Sequence, residues 1–415
     1  MLLLVFIQVT QASAVRSDNN ACSRLYDYPV MDKSGNCYVN PNVMALTPSM
    51  IKQNGYPVLS YNVTTRDGYN LQLFRIPPDE KDNRTNKQPV LLEHGLFHDS
   101  SSWVFVGNRS LAFNLADKGY DVWLANQRGS RYSCTHRKFK TSSFQYWNYS
   151  LDTMASNDIP ALLKLVANVT EKESAIIYIG HSRGATLIFM YASEHPAETQ
   201  KLLKCMVALC PVAYLDAVWY IKLLSFWAPS IGRTLLNLRI PAIFYNINHV
   251  HTILCKFCSN FPYVCRLLID ISTGVTWQFL PDDLLAYYTH DFSTESVKEL
   301  LHYAQLVTTG KFQKYDFGKW GNLKAYGQEN PPQYNLTNIR LPVFMYYGKN
   351  DVFIKEKSVR KVFDELGSNE KAFWKIPVGI NEEKYQFSHN DFIWAKQINE
   401  LFYTNLFYVL DSQKK

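Results

Sequence analysis

The pentapeptide Gly180-His181-Ser182-Arg183-Gly184 is the feature that most restricts how this chain can fold. It follows the apolar run AIIYI and precedes the helical run ATLIFMYASEH. A serine placed in a tight turn between a strand and a helix has a strained backbone, and glycine on both sides lets the neighbouring segments approach closely. The helix N-terminus behind Ser182 also stabilises developing negative charge. This context predicts a nucleophilic serine at position 182.

Short β-rich runs alternate with helical patterns through most of the chain, which is typical of a mostly parallel sheet with helices on both faces. Six runs read as strands, beginning at Pro89, Tyr120, Ala175, Cys205, Leu341 and Lys371. Residues 213–330 interrupt the alternation and are rich in Trp, Tyr, Leu and Ile. We therefore expect an α/β fold whose core consists of residues 15–212 and 331–415, with an inserted, mainly helical cap at 213–330. The last apolar run, from Asp391, has the spacing of one helix packed on the sheet.

A serine hydroxyl needs a neighbouring base to become a good nucleophile, and in folds with this serine motif the acid and then the histidine follow it along the chain. Asp351 ends the strand-like run LPVFMYYGKN, at the edge where catalytic residues of an open parallel sheet project. His389 is the only histidine after Asp351. The predicted catalytic triad is therefore Ser182, Asp351 and His389. The alternative for Asp351 is a turn formed with Asn350.

Acyl transfer also needs two backbone N–H groups that bind the negatively charged oxygen of the transition state. The residue after the nucleophile, Arg183, is expected to supply one of them. The loop after PVLLEHG offers the other through the amide of Leu96, unless His94-Gly95 is only a turn that ends the strand. Because main-chain groups form this oxyanion hole, an arginine side chain at position 183 is compatible with it.

The first fourteen residues, MLLLVFIQVTQASA, are apolar and end in Ala12-Ser13-Ala14, as a signal peptide does, although a basic beginning is missing. We expect the mature chain to begin near Val15, and a buried N-terminal strand is the alternative. Six N-x-S/T sequons support export and predict glycosylation at Asn62, Asn83, Asn108, Asn148, Asn168 and Asn335. The chain is therefore expected to be secreted or lysosomal. No other run is long and charge-free enough to be a transmembrane segment.

Eight cysteines in an exported chain of 415 residues predict one or two disulfides, whose pairing the sequence leaves open. Cys255, Cys258 and Cys265 are close enough in sequence for a local bridge, and the alternative of a zinc site lacks a well-placed fourth ligand. The net charge of +7 is accompanied by no Lys/Arg run and no nucleic-acid motif. We expect a monomer with no nucleic-acid partner and no metal or other cofactor.

Several segments resemble the acid lipase family, which includes gastric and lysosomal acid lipases and many insect relatives. They are NPNVMALTPSMIKQNGYPVLSYNVTTRDGYNLQLFRIP, HGLFHDSSSW, DVWLANQRGSRYSCTH, GHSRG, GKFQKYDFG, PPQYNLTNIRLPV and HNDFIWA, and together they span nearly the whole mature chain. The resemblance implies an α/β-hydrolase fold, a helical cap before the triad acid, and hydrolysis of triacylglycerols or cholesteryl esters without a cofactor. It implies the same triad and the same two oxyanion amides.

The chain departs from the family pattern at two places. Arg183 stands where the family usually has glutamine, which changes the charge near the site. The segment THDFSTES, from Thr289, lacks the Pro-Ala-Gly of the family's cap motif, so the substrate preference stays open.

Three other functions fit parts of the sequence: an esterase or thioesterase for soluble acyl substrates, an inactive hydrolase-fold protein that binds lipid or a protein partner, and a serine peptidase. The complete triad favours an enzyme. The apolar insertion favours neutral lipid esters at a lipid–water interface as substrates.

Overall fold

A large sheet forms the centre of the computed structural model, which describes residues 19–78, 87–245, 247–275, 278–288, 292–378 and 385–413. The signal-like segment 1–14 and Asn83 lie outside these residues. We number the long strands of the sheet in chain order as β1 Leu59–Thr64, β2 Tyr69–Ile76, β3 Pro89–Glu93, β4 Asp121–Ala125, β5 Ile176–His181, β6 Leu203–Leu209, β7 Val343–Gly348 and β8 Lys371–Ile376. A short strand, Thr135–His136, also pairs with β2.

The strands lie side by side in the order β8-β7-β6-β5-β3-β4-β2-β1. Strands β3 to β8 are parallel to one another, whereas β1 and β2 form an antiparallel pair at one edge. Every residue of β3 and β5 is buried, because helices cover both faces of the parallel part. The predicted α/β-hydrolase fold with a mostly parallel sheet is confirmed, and all six predicted strands are present as β3 to β8.

Helices flank the sheet and fill the interval between β6 and β7. Before that interval lie α1 Thr47–Gln53, α2 Leu111–Asp117, α3 Leu151–Thr170, α4 Arg183–Glu194 and α5 Pro196–Leu202. The interval contains α6 Trp219–Asn237, α7 Ile247–Asn260, α8 Pro262–Thr273, α9 Leu285–Tyr288, α10 Val297–Thr309 and α11 Lys319–Tyr326. After β7 come α12 Glu356–Glu365, α13 Asp391–Trp394 and α14 Thr404–Ser412.

The interval between β6 and β7 is mainly helical and contains one small antiparallel pair, Ala242–Ile243 with Glu295–Ser296. We call its residues 213–330 the insertion. Helix α6 packs closely on α10, because a Cβ placed on Gly232 would lie 2.6 Å from a methyl carbon of Leu301. The opposite face of α6 carries large apolar side chains that are exposed. They are Trp219, Leu223, Phe226, Trp227 and Ile231, at the spacing of one helical face.

The C-terminal run is helical in three pieces, which differs from the single helix that the sequence predicts. Helix α13 ends at Trp394, whose indole N–H donates to the carboxylate of Asp391. Ala395 then leaves the helical conformation, with ψ 138°, and a π-helical turn, Asn399–Tyr403, leads into α14. The backbone N–H of Lys396 donates a hydrogen bond to the carbonyl of Phe279, which connects this break to the insertion.

Two disulfides are present among the described residues, Cys22–Cys37 and Cys258–Cys265, so the prediction of one or two bridges is confirmed. The second bridge falls within the cysteine cluster for which a local pairing was expected, and it joins α7 to α8. Cys205 and Cys210 are free, buried thiols.

Candidate active site

Ser182 occupies a sharp turn between β5 and α4, with φ 52° and ψ −109°. A residue other than glycine rarely adopts a positive φ, so the surrounding structure must hold it there. The two flanking glycines allow the backbone segments around this turn to approach each other closely. A Cβ on Gly180 would lie 2.6 Å from the carbonyl carbon of Gly184, and one on Gly184 would lie 2.4 Å from the carbonyl oxygen of Glu93 in β3. The serine is therefore placed at the carboxyl edge of the parallel strands.

Asp351 and His389 lie against each other at the same edge of the sheet. Asp351 follows β7, and its Oδ2 is 2.6 Å from His389 Nδ1. Its Oδ1 accepts backbone N–H groups from Phe353 at 2.8 Å and Ile354 at 3.2 Å, which fix the orientation of the carboxylate. Because Nδ1–H points at the carboxylate, His389 Nε2 is the ring nitrogen that can accept a proton.

The backbone of His389 is held by three residues that were not predicted to be part of the site. His181 Nε2 lies 2.9 Å from the His389 carbonyl oxygen, and the Cys210 thiol lies 3.4 Å from the same oxygen. The His389 N–H donates to the carbonyl of Thr273 in the insertion. Burial and the nearby His389 hold the pKa of His181 well below its usual value, so this ring is neutral and donates through Nε2. The position of His181 beside Ser182 in the pentapeptide was the available signal.

The loop after β3 passes directly over the serine. A Cβ on Gly95 would lie 3.3 Å from Cβ of Ser182, so glycine permits this close approach. His94 anchors the end of β3, because its Nε2 accepts the backbone N–H of Gln127 at 3.1 Å. Burial lowers the pKa of His94 to about 3, which keeps this anchor neutral. Leu96 follows at the rim of the same cavity as Ser182.

The side chain of Arg183 is fully buried beneath the site and contacts the insertion. Its Nη1 lies 2.5 Å from Glu295 Oε2 and 2.8 Å from Glu299 Oε1. Burial disfavours the charged guanidinium, but the two carboxylates raise its pKa above the ordinary value. Burial also raises the pKa of Glu295, an effect that the guanidinium partly offsets. The partners are 112 and 116 positions away in sequence, so local patterns could not reveal them.

A cavity of about 630 Å³ opens above Ser182 and His389. The core contributes the loop residues from Gly95 to His98, and the insertion contributes a largely apolar wall. This wall includes Ile221, Leu224, Ala228, Leu254, Leu268 and Ile269. The arrangement can bind an apolar chain and present its polar end to the serine.

The described residues include one group with metal-ligand character, formed by Cys210, Asp351 and His389, whose donor atoms lie within 4.8 Å of one another. Asp351 and His389 are already hydrogen-bonded to each other at 2.6 Å, and the Cys210 thiol lies against the His389 carbonyl. Burial, together with the nearby Asp351, raises the pKa of this thiol well above its ordinary value. We therefore interpret the group as an acid–base pair with a neutral thiol beside it.

The predicted glycosylation residues fall on the protein surface wherever the structure describes them. Asn62, Asn108, Asn148, Asn168 and Asn335 are all exposed. Asn62 lies in the edge strand β1 and Asn168 near the end of α3. These positions are accessible to a glycosylating enzyme, and their modification stays a prediction.

Comparisons with known proteins show the family to which the chain belongs. Residues 88–379 match the model of the alpha/beta hydrolase fold, and residues 47–107 match a partial alpha/beta-hydrolase lipase region. Lipase member K of Homo sapiens is 32% identical over 93% of this chain and 95% of its own length. Gastric triacylglycerol lipase of Bos taurus is 33% identical over 91% of this chain and 94% of its own length.

Among solved structures, a soluble variant of monoglyceride lipase from Saccharomyces cerevisiae has a similar fold. It superimposes with a TM-score of 0.51 at 14% identity, covering 85% of this chain and 94% of its own.

Proposed function

Because the chain belongs to the lipases of the α/β-hydrolase family, we propose that it hydrolyses neutral lipid esters through an acyl-enzyme on Ser182. The observation that carries this proposal is the hydrogen bond between Asp351 and His389, because His389 lines the same cavity as Ser182. Leu96 and Arg183 supply the oxyanion amides, from the loop over the serine and from the N-terminus of α4.

In the first half of the reaction, Ser182 Oγ attacks the ester carbonyl carbon while His389 Nε2 takes the hydroxyl proton. Asp351 stabilises the resulting imidazolium, and the amides of Leu96 and Arg183 bind the negatively charged oxygen. Collapse of the tetrahedral intermediate breaks the ester bond, and His389 gives its proton to the leaving alcohol. Water then repeats the sequence on the acyl-enzyme, which releases the carboxylic acid and restores Ser182.

The substrate class follows from the apolar cavity and from the relatives. The wall that the insertion provides suits an acyl chain, and its members Leu224 and Leu268 offer no hydrogen bond to a polar substrate. Two relatives with full-length similarity are named gastric triacylglycerol lipase, from Homo sapiens and Bos taurus. We therefore propose triacylglycerols as the preferred substrates and cholesteryl esters as the second candidate class.

The insertion, which we bound at residues 213–330, is proposed to act as a cap that binds a lipid surface. The exposed face of α6 is joined by a second apolar face on α8. That face consists of Val264, Leu267, Leu268 and Ile271, at positions i, i+3, i+4 and i+7. Large exposed apolar surface on a helix marks a binding site or a lipid contact. The core would then consist of residues 15–212 and 331–415.

Export is also part of the proposal. The apolar segment 1–14 and the exposed sequons favour a secreted or lysosomal glycoprotein monomer. Among the described residues, none of the helices is long and apolar enough to cross a bilayer.

The decisive experiment compares Ser182→Ala with the wild type on emulsified triolein, cholesteryl oleate and a short soluble ester from pH 4 to 8. Losing the nucleophile should reduce the rate roughly a million-fold. Ser193→Ala is the matched control, because it removes a buried hydroxyl from α4, the helix that follows Ser182, and should retain activity. A Ser182→Ala variant that keeps more than a few per cent of the activity would show that the triad is wrong. Turnover of the soluble ester alone would favour the soluble-ester esterase.

A further inference from the structure

The loop that carries the Leu96 amide is held in place by the insertion. Phe97, the next residue, has φ 63°, a conformation that costs a non-glycine residue free energy. Its N–H donates to Glu295 Oε1 at 2.7 Å, and its carbonyl accepts the N–H of Ser293 at 2.7 Å. Both backbone polar groups of Phe97 are therefore bound by one short segment, residues 293–295. The shape of the loop depends on these contacts.

The other oxygen of the same carboxylate reaches the second oxyanion residue. Glu295 Oε2 lies 2.5 Å from Arg183 Nη1, and the side chains of both residues are 1% exposed. One carboxylate thus bridges the loop of Leu96 and the residue whose own amide completes the oxyanion hole. A buried charge is tolerated only when its hydrogen bonds are satisfied, so Glu295 has little freedom to move.

Glu299 binds the same guanidinium without taking part in this bridge. Its Oε1 lies 2.8 Å from Arg183 Nη1, and its side chain is completely buried. Glu295 and Glu299 are therefore both buried and both bind the same guanidinium nitrogen. Only Glu295 also accepts the N–H of Phe97.

We propose that Glu295, fixed by Arg183, is a positioning residue that holds the Leu96 amide in register with the Arg183 amide and so makes the oxyanion hole depend on the insertion. This inference rests on the proposed serine-hydrolase function. If the ion pair were merely structural, it would contribute to stability and not to catalysis. Replacing Glu295 or Glu299 would then have equal effects.

The test measures the second-order rate at which a fluorophosphonate labels Ser182, because phosphonylation needs the oxyanion hole whatever the natural ester is. Glu295→Ala should lower this rate and kcat on a short soluble ester about 100-fold, the effect of losing one oxyanion donor, with KM within about threefold. Glu295→Gln keeps an acceptor for Phe97 and should recover most of the rate. Glu299→Ala should lower the urea midpoint as much as Glu295→Ala does. Its rate constant for labelling should nevertheless stay within about threefold of the wild-type value.

Two triple variants keep the test decisive if Glu295→Ala does not fold. Arg183→Met with Glu295→Leu and Glu299→Leu replaces the buried charges by apolar side chains, a change that is often neutral for stability. The same variant with Gln instead of Leu at position 295 restores the acceptor, and should label at least tenfold faster. Equal labelling of these two, or equal losses in Glu295→Ala and Glu299→Ala, would overturn the inference. A wild type that is not labelled at all would instead contradict the proposed function.

Discussion

Replacing Gly184 by alanine tests how closely the serine turn approaches the sheet. The added Cβ would lie 2.4 Å from the carbonyl oxygen of Glu93 and 3.0 Å from its carbonyl carbon. Strand β3 cannot yield easily, because it is hydrogen-bonded to β4 on one side and β5 on the other. Overpacking of this kind costs about 1–3 kcal/mol, and the better helix propensity of alanine returns at most about 1 kcal/mol. We expect a net loss of about 1–2 kcal/mol in the free energy of unfolding.

The same displacement should damage catalysis, since the strand end that must move leads directly into His94, Gly95 and Leu96. Misplacing the Leu96 amide should lower kcat about 100-fold or more. Urea denaturation and hydrolysis of a soluble ester measure the two effects. Gly35→Ala is the control, because a Cβ there meets no atom within 4 Å, and it should change stability by less than about 0.5 kcal/mol. Wild-type stability and activity in Gly184→Ala would refute the reasoning.

Two further predictions concern ionisable groups. Asp351→Asn should lower kcat about 10,000-fold with little change in KM, because the carboxylate holds the useful tautomer of His389. Asp364, an exposed residue of α12, is the next aspartate along the chain, and Asp364→Asn should keep its activity. The reverse result would show that Asp364 is the acid. Burial raises the pKa of Glu93 from its usual 4.5 to about 8, so the folded protein holds a proton that the unfolded chain releases. The contribution of Glu93 to stability should therefore be largest below about pH 4.5 and fall as the pH rises through 8. The decrease of the urea midpoint across this range should be smaller in Glu93→Gln.

Much of the sheet could be predicted because its strands are continuous apolar runs. Strands β3 and β5 are buried on both faces, and such runs stand out in the sequence. The edge pair β1–β2 was missed because the residues of β1 are exposed or half-buried. The turn between the two strands contains Asp67-Gly68, and Gly68 has φ 102°. That dipeptide is a hairpin signal which, read with the flanking runs, would have found the pair.

In the site, too, some residues can be predicted from the local sequence, whereas others become apparent only from long-range packing. Ser182 is predicted from its neighbours in sequence, and Asp351 and His389 are predicted from their order along the chain. The last two residues are hydrogen-bonded to each other in the structure. The partners of Arg183 and of the His389 carbonyl depend on tertiary packing. Glu295 lies 112 residues from Arg183, and His181 lies 208 residues from His389, so periodicity and spacing carry no information about them.

The last prediction concerns the exposed face of α6, defined above by Trp219, Leu223, Phe226, Trp227 and Ile231. Trp219 is 74% exposed and Phe226 is 67% exposed, although other side chains of the same helix line the cavity. Transfer of one such side chain from water into lipid is worth about 1.5–3 kcal/mol, which corresponds to at least a tenfold change in binding. Trp219→Ser and Phe226→Ser should therefore each lower activity on emulsified triolein about tenfold. Hydrolysis of a dissolved short ester should stay unchanged, since the triad is untouched.

A control and a concentration series separate a lipid-binding cap from a rigid wall of the cavity. Trp320 is 78% exposed on α11, so Trp320→Ser removes as much apolar surface from another helix and should leave emulsion activity intact. If the cap opens at a lipid surface, the wild-type rate on a partly soluble ester should rise sharply as the ester passes its solubility limit. The two α6 variants should weaken that rise. Smooth saturation in the wild type, or equal losses in all three variants, would contradict interfacial opening and leave the insertion as a fixed acyl pocket.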